Sequence, residues 1–199
     1  MRRVVLDPAT HAKIDAKEWA RWEKRSGEAA KEMRDWFDAR TAHPPKTPGL
    51  PAQPKFNPAI WGDLKDMLLE AVFRGRCDFW EVTENVGGFG DAEHYRPKRP
   101  VEDLDDEGKM KPIVVGAEEH PGYGWLAYDW RNLVPACSKC NTYKANRFPV
   151  AGTRCVAPAQ GCETTEELNA REAPLLLHPY FDKPSEALAF GEKGVIAAR

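Results

Sequence analysis

No stretch of this chain approaches the roughly 18 to 20 consecutive apolar residues that a membrane-spanning helix needs. Its first residues, Met1-Arg2-Arg3-Val4-Val5-Leu6-Asp7-Pro8, lack the long apolar core of an export signal. Both absences predict a cytoplasmic protein without a membrane partner. Internal repeats and low-complexity tracts are missing too, which argues against a solenoid or a fibrous chain. The surplus of positive charge expected of a dedicated nucleic-acid binder is also absent, because the formal net charge is -2. Cysteine is sparse, at 5 residues, and with no export signal that number argues against a disulfide framework.

What remains is ordinary for a globular chain: 199 residues, 42% hydrophobic and 30% charged, long enough to bury a sizeable core. Charge is distributed unevenly. Arg96, Lys98 and Arg99 follow His94, and Lys139, Lys144 and Arg147 surround Asn141, whereas acid collects in Glu102-Asp103-Leu104-Asp105-Asp106-Glu107. A local basic groove is compatible with a near-neutral total, with modest and salt-sensitive affinity for nucleic acid.

Residues 1–40 read as an amphipathic helical region. Ile14, Trp19, Trp22, Ala29, Met33, Trp36 and Phe37 recur at helical spacing, as a packing stripe or as a face for a partner. Residues 41–57 carry Pro44, Pro45, Pro48, Pro51 and Pro54 with Gly49, and read as an extended connector. The third region, 58–199, opens with a helix capped by Asn57 and begun by Pro58, with Ile60, Leu64, Met67, Leu68 and Val72 on one face. That helix should end near Arg74-Gly75. Cys77-Asp78-Phe79-Trp80-Glu81-Val82 reads as a strand or knuckle, and Gly87, Gly88 and Gly90 break the chain before Glu93. Ile113-Val114-Val115 is a weak strand candidate, and Gly124-Trp125-Leu126-Ala127-Tyr128 a better one by its aromatic content. Ser138 to Asn146 should form a short helix. The predicted class is α+β, with helices flanking a small hairpin and helix.

The chemistry-bearing residues come in order. Glu93-His94 is followed by Asn132 before an apolar pair, then by Cys137-Ser138-Lys139-Cys140 with Asn141 next and Lys144 soon after. Phosphodiester cleavage needs an activated water, neutralisation of phosphoryl oxygens, and help for the departing oxygen. A histidine near neutral pKa serves the first task, so His94 is the candidate base. A divalent ion serves the others, and Mg²⁺ or Mn²⁺ prefers oxygen donors such as Glu93 and Asn141. Arg96, Lys98 and Lys144 are candidate phosphate contacts. Asn132 can hydrogen-bond its loop to the backbone around His94. On a regular strand Glu93 and His94 point to opposite faces, so a bend or strand end is expected there.

In that order the residues resemble the HNH nuclease signature in a His-Asn-Asn form, built on a ββα-metal core. The resemblance implies that Glu93 and Asn141 hold the metal, His94 is the base and Asn132 is the catalytic-loop organiser. From Phe56 to Phe190 the chain further resembles the HNH subfamily with the block Trp125-Leu126-Ala127-Tyr128-Asp129-Trp130-Arg131-Asn132-Leu133 and the tail Pro174-Leu175-Leu176-Leu177-His178-Pro179-Tyr180. That subfamily includes nuclease subunits of Septu-type and retron-linked anti-phage systems, whose usual partner is an ATPase. It implies a metal-dependent endonuclease acting on DNA, with RNA as an open alternative substrate. The chain departs from the subfamily in having Glu93 where Asp is commoner. It also reads Cys77-Asp78-Phe79-Trp80 where an earlier CxxC would complete a Cys₄ zinc site.

A closed structural zinc site needs four ligands. Cys137, Cys140, Cys155 and Cys162 are the preferred set, and Cys77 plus a substitute joined to Cys137 and Cys140 is the second. In the third reading zinc is lost and the thiols are packed apolar groups. His120 and His178 are assigned structural roles. The competing function is a non-catalytic, zinc-finger-like module for nucleic acid or partner docking, which accommodates the incomplete first CxxC and the weak charge.

Overall fold

A computed structural model describes residues 11–42, 51–83, 90–158, 161–191 and 196–198, together with Val4, Asp7 and Gly49. The expected breaks at Pro44, Pro45, Pro48, Gly87 and Gly88 lie outside the described residues. Among the described residues no helix is long and apolar enough to cross a membrane.

The first helix, α1 (Ala16–Thr41), starts where the Asp15 carboxylate accepts hydrogen bonds from the Lys17 and Glu18 amides. Its stripe of Trp19, Trp22, Ser26, Ala30, Met33 and Phe37 is buried. These rings therefore face the protein's own core, not an outside partner. Trp22 donates from Nε1 to the Ile60 carbonyl at 2.7 Å, which fixes α1 against α2 (Pro58–Ala71). The far end of α1 docks through Phe37, edge-on to Trp125 at 5.1 Å. Gly124 makes that approach feasible, since a Cβ there would lie 2.5 Å from the Phe37 ring.

Helix α2 begins as its sequence predicts. Asn57 accepts from the Ala59 amide, Pro58 takes the first turn, and the Tyr128 hydroxyl accepts from the Asn57 amide at 2.7 Å. Ile60, Trp61, Leu64, Leu68 and Ala71 form its buried face.

Two strands far apart in sequence then pair. Strand β1 (Asp91–His94) runs antiparallel to β6 (Leu133–Ala136), with Glu93 opposite Val134 and His94 opposite Leu133. Helix α3 (Ser138–Lys144) follows β6 directly and lies against β1. The intervening residues 95–132 contribute two short hairpins, β2 (Glu102–Leu104) with β3 (Met110–Pro112) and β4 (Val114–Val115) with β5 (Glu118–Glu119). Helix α4 (Thr165–Glu172) opens with a capping box between Thr164 and Glu167. Helix α5 (Pro184–Ala187) and the pair β7 (Leu188–Phe190) and β8 (Ile196–Ala198) close the described chain. The α+β class is as expected.

One expected strand is absent. Gly124–Leu126 is a 3₁₀ turn, followed by a second at Trp130–Asn132. Trp125 is enclosed and donates from Nε1 to the Cys162 carbonyl. The aromatic density of this block reports burial on all sides, not the half-buried surface of a strand.

Arg96 is fully buried. Its Nε donates to Glu172 Oε2 at 3.1 Å and its Nη2 to Asn169 Oδ1 at 2.8 Å, and the guanidinium lies 4.9 Å from the Phe148 ring centroid. Glu172 also accepts from the Tyr123 hydroxyl and the Cys155 amide.

His120 and His178 are buried with both ring nitrogens engaged. His120 Nδ1 accepts from the Gly122 amide, and His178 Nδ1 from the Tyr180 amide. Their Nε2 atoms meet the Cys155 and Arg131 carbonyls, which only accept, so each Nε2 carries the proton. Burial lowers the pKa to about 4 for His120 and about 3 for His178. Protonation of either ring is then favoured in the unfolded chain, so stability is complete above the unfolded value near 6.5 and is lost as pH falls below it. Each histidine should cost about 2 kcal/mol of stability between pH 6.5 and 5. Urea midpoints measured across that window should fall steadily, and His178→Gln should flatten the slope; a level wild-type profile would refute the argument.

Candidate functional site

The pairing of β1 with β6 and the return of α3 decide which side chains meet. Alternate residues of a strand share a face, so Asp91 and Glu93 look toward α3. On α3, residues three apart are neighbours, and Asn141 and Lys144 match that spacing. Asn141 donates from Nδ2 to Asp91 Oδ2 at 2.8 Å. Lys144 Nζ donates to Glu93 Oε1 and to the His94 carbonyl, both at 2.7 Å. One ammonium therefore holds the side chain of Glu93 and the backbone of its neighbour.

The Glu93–Lys144 pair is almost shielded, with side chains 10% and 8% exposed. Burial raises the Glu93 carboxyl pKa against the pull of Lys144, and burial lowers that of Lys144 against the pull of Glu93. Each group keeps its charge through the other, so removing either strands a buried charge.

His94 contacts the opposite side of the strand. Its ring meets Trp61 of α2 edge-on at 4.7 Å, and Nε2 lies 3.1 Å from the Ala127 carbonyl. Because that carbonyl can only accept, Nε2 bears the proton and Nδ1 presents its lone pair. Lys98 Nζ sits 3.3 Å from Nδ1 and 4.6 Å from the Trp61 ring centroid. Burial and the Lys98 charge hold the His94 pKa well below the ordinary histidine range. The strand ends at His94 and the chain bends at Tyr95 and Arg96, the expected strand end, while within the strand Glu93 and His94 keep opposite faces. The charges of Lys98 and Lys144 act on both.

Asn132 closes the mouth of the hairpin. Its Oδ1 accepts from the Arg96 amide at 2.7 Å, while Nδ2 donates to the Arg96 carbonyl at 3.0 Å and the Leu126 carbonyl at 3.3 Å. The Tyr95 amide donates to the Asn132 carbonyl. The loop that carries Arg96 and Lys98, just beyond His94, is thus fixed to the turn that leads into β6.

The structure does not leave Arg96 as a phosphate contact. Its guanidinium is committed to Glu172 and Asn169 in the core, and only Lys98 and Lys144 of the three candidate cations stand at the site.

The cysteines divide differently from the preferred set. Cys155 and Cys162 join as a disulfide in the core around Trp125, away from the CxxC. Both the four-cysteine zinc set and the expectation of no disulfide are corrected by this pairing. Cys77 takes their place. The sulfur atoms of Cys77, Cys137 and Cys140 lie within 4.8 Å of one another. Tetrahedral zinc, with zinc–sulfur bonds of about 2.3 Å, holds its sulfur ligands roughly 3.8 Å apart, so a modest contraction suffices. A knuckle positions Cys77: its amide donates to the Val82 carbonyl, and the Asp78 amide donates to the Pro135 carbonyl of β6. Burial pushes the Cys140 thiol up to about 12, whereas Cys137, despite its burial, is lowered by hydrogen bonds from Cys140 and Cys77. The three thiols can hold a metal ion such as zinc at the start of α3.

Two residues beside the site were not singled out from sequence. Asp91 was detectable, being two residues before Glu93 on a strand. Trp61 was not, because only the packing of α2 on β1 brings it to His94.

Comparison with known proteins finds two relatives, both from Bacillus mycoides (strain KBAB4). The chain is 38% identical over 130 residues to Septu protein PtuB, covering 65% of this chain and 39% of that protein. It is 25% identical over 134 residues to Septu protein PtuA, covering 67% of this chain and 17% of that protein. The chain thus matches well under half of either relative's length. No protein-family model matches it, and no solved structure does.

The sulfur cluster yields a direct test. Protein purified without chelator should carry about one zinc per chain by elemental mass spectrometry, a single site of the three-thiolate kind. Cys77→Ser and Cys137→Ser should each empty it, and Cys155→Ser should leave it filled. Zinc retained in Cys137→Ser would exclude the cluster as its ligand.

Proposed function

We propose that this chain is a metal-dependent endonuclease of the HNH kind, hydrolysing phosphodiester bonds of DNA, with RNA as the alternative substrate. The observation that carries the reading is the union of β1, β6 and α3. It gathers Glu93, Asn141 and Lys144 on one side of a strand and, on the other, a histidine whose Nδ1 lone pair faces the Lys98 ammonium. The likeness to Septu proteins supports service in anti-phage defence beside a partner subunit, and the resemblance to the HNH subfamily implies that this partner is an ATPase.

In this reading His94 Nδ1 accepts a proton from the attacking water, while the Ala127 carbonyl keeps Nε2 protonated and the ring oriented. Lys98 covers Nδ1 in the free protein. An incoming phosphate draws the Lys98 ammonium to its oxygens and uncovers the base. Lys144 holds Glu93 in place and fixes the His94 backbone. The carboxylate of Glu93 and the amide oxygen of Asn141, with the Asp91 carboxylate adjacent, form a hard oxygen donor set that suits Mg²⁺ or Mn²⁺. Such an ion, when bound, supplies charge neutralisation at the phosphoryl and leaving oxygens. Asn132 acts on loop geometry. The products are 5′-phosphate and 3′-hydroxyl ends.

One observation favours the second reading, a binding module without catalysis. His94 is only 2% exposed and Lys144 already neutralises Glu93. The set of base, oxygen donors and cations has no use in a pure binder, and it supports the enzyme reading.

Supercoiled plasmid and a structured RNA, each with Mg²⁺, Mn²⁺ or no added metal, test the choice. Wild type should nick or linearise only with metal, and His94→Ala should slow cleavage by about 10²- to 10⁴-fold, the usual contribution of a positioned base. Asn141→Ala should raise the metal concentration required. Undiminished cleavage by His94→Ala would remove it as the base, and binding without cleavage under every metal would favour the module.

A further inference from the structure

Among the described residues the aromatic side chains are buried or half-buried with two exceptions, and both lie beside the candidate site. Of the 7 tryptophans, all but Trp80 pack against another aromatic ring. The hydroxyls of Tyr95, Tyr123, Tyr128 and Tyr180 are all hydrogen-bonded to backbone or to Glu172. Trp80 is 51% exposed and Tyr143 is 71% exposed.

Their positions are related. Lys139 and Tyr143 are four residues apart on α3 and share a face. Lys139 extends its ammonium over the Trp80 ring, 5.7 Å from the centroid. Trp80 sits on the knuckle that Cys77 begins, where a fourth thiolate would complete two CxxC pairs. The outer face of α3 is thus a strip of Trp80, Lys139 and Tyr143, and its inner face bears Asn141 and Lys144 against β1.

We propose that this strip stacks unpaired nucleobases of a single strand and feeds it to the site on the other face of α3. Bases within a duplex are already stacked on both faces, so open aromatic rings engage only unpaired ones. An ammonium between two rings suits a strand in which bases alternate with phosphates. The net charge of -2 agrees, since binding through stacking needs fewer phosphate contacts than gripping a duplex. The inference rests on the nuclease reading for the identity of the ligand, and it sets the substrate class as single-stranded DNA or RNA.

The test is fluorescence anisotropy without added divalent metal, so that no cleavage intervenes. The full chain is titrated into labelled oligo(dT) and oligo(rU) of about 12 nucleotides, and into a duplex of the same length. Single strands should bind more tightly than duplex. Trp80→Ala and Tyr143→Ala should each raise Kd about tenfold, the usual worth of one stacked base. Trp80→Phe and Tyr143→Phe should restore binding. Both residues are exposed, so thermal unfolding should match wild type. Ring-dependent binding by a wild-type protein that cleaves neither plasmid nor RNA under any metal would sink the nuclease reading alone, which separates this proposal from catalysis. Absent binding, tighter binding to duplex, or alanine variants that bind as wild type would overturn the strip. If those variants instead lost only a protein partner in co-purification, the face would be a protein interface. The DNA and RNA arms distinguish the two sources of strand.

Discussion

The amide of Asn132 holds the backbone of Arg96 by its amide and its carbonyl at once, and that small clasp governs much of the molecule. It joins the end of β1 to the start of β6, two segments separated by the whole excursion of residues 95–132. Buried backbone groups must find partners, and here a side chain supplies them where the strand ladder stops. With Arg96 fixed, its side chain is committed inward, and Lys98 two residues on is committed toward His94. The orientation of the candidate base, the cation that covers it and the anchor in the core all follow from the same two hydrogen bonds.

Inward of that clasp lies a polar network that the core accommodates only because it is nearly closed. Arg96 meets Glu172 and Asn169, Glu172 meets Tyr123 and the Cys155 amide, and Arg154 reaches the Tyr123 hydroxyl. A buried ion pair of this kind adds little to stability over apolar packing, but its rupture costs about 3–5 kcal/mol. The network ties α4 and the Cys155–Cys162 loop to the hairpin that bears the site, so the C-terminal third of the chain supports the geometry without contributing a reactive group. Single deletions in it should act on folding and site shape together.

Much of this was legible in the sequence where the signal is local. Asn57-Pro58 announced α2, the heptad-like recurrence of Trp19, Trp22, Met33 and Phe37 announced α1, and Asn132 and Glu93-His94 marked the ends that the hairpin joins. What could not be read depended on distant partners. Arg96 looks like a surface cation until Glu172, 76 residues later, is placed beside it. The cysteines could be sorted only once the Cys77 knuckle was seen to rest on Pro135 of β6. Trp125 to Tyr128 carried strand-like composition, but rings buried on every side give the same composition in a turn. Asp91, by contrast, could have been found locally, by alternation two residues before Glu93.

Helix α3 has 7 residues, well below the length at which an isolated helix survives in water. It persists through its attachments: the thiols of Cys137 and Cys140 at its start, and Asn141 and Lys144 on β1. In the language of local unfolding, it is a low-stability unit stitched at both ends to more stable ones. The side chains that face Glu93 and those that form the outer strip ride on this one element, so they open and close together. Release of the sulfur cluster would loosen both faces at once, leaving the larger helical core folded.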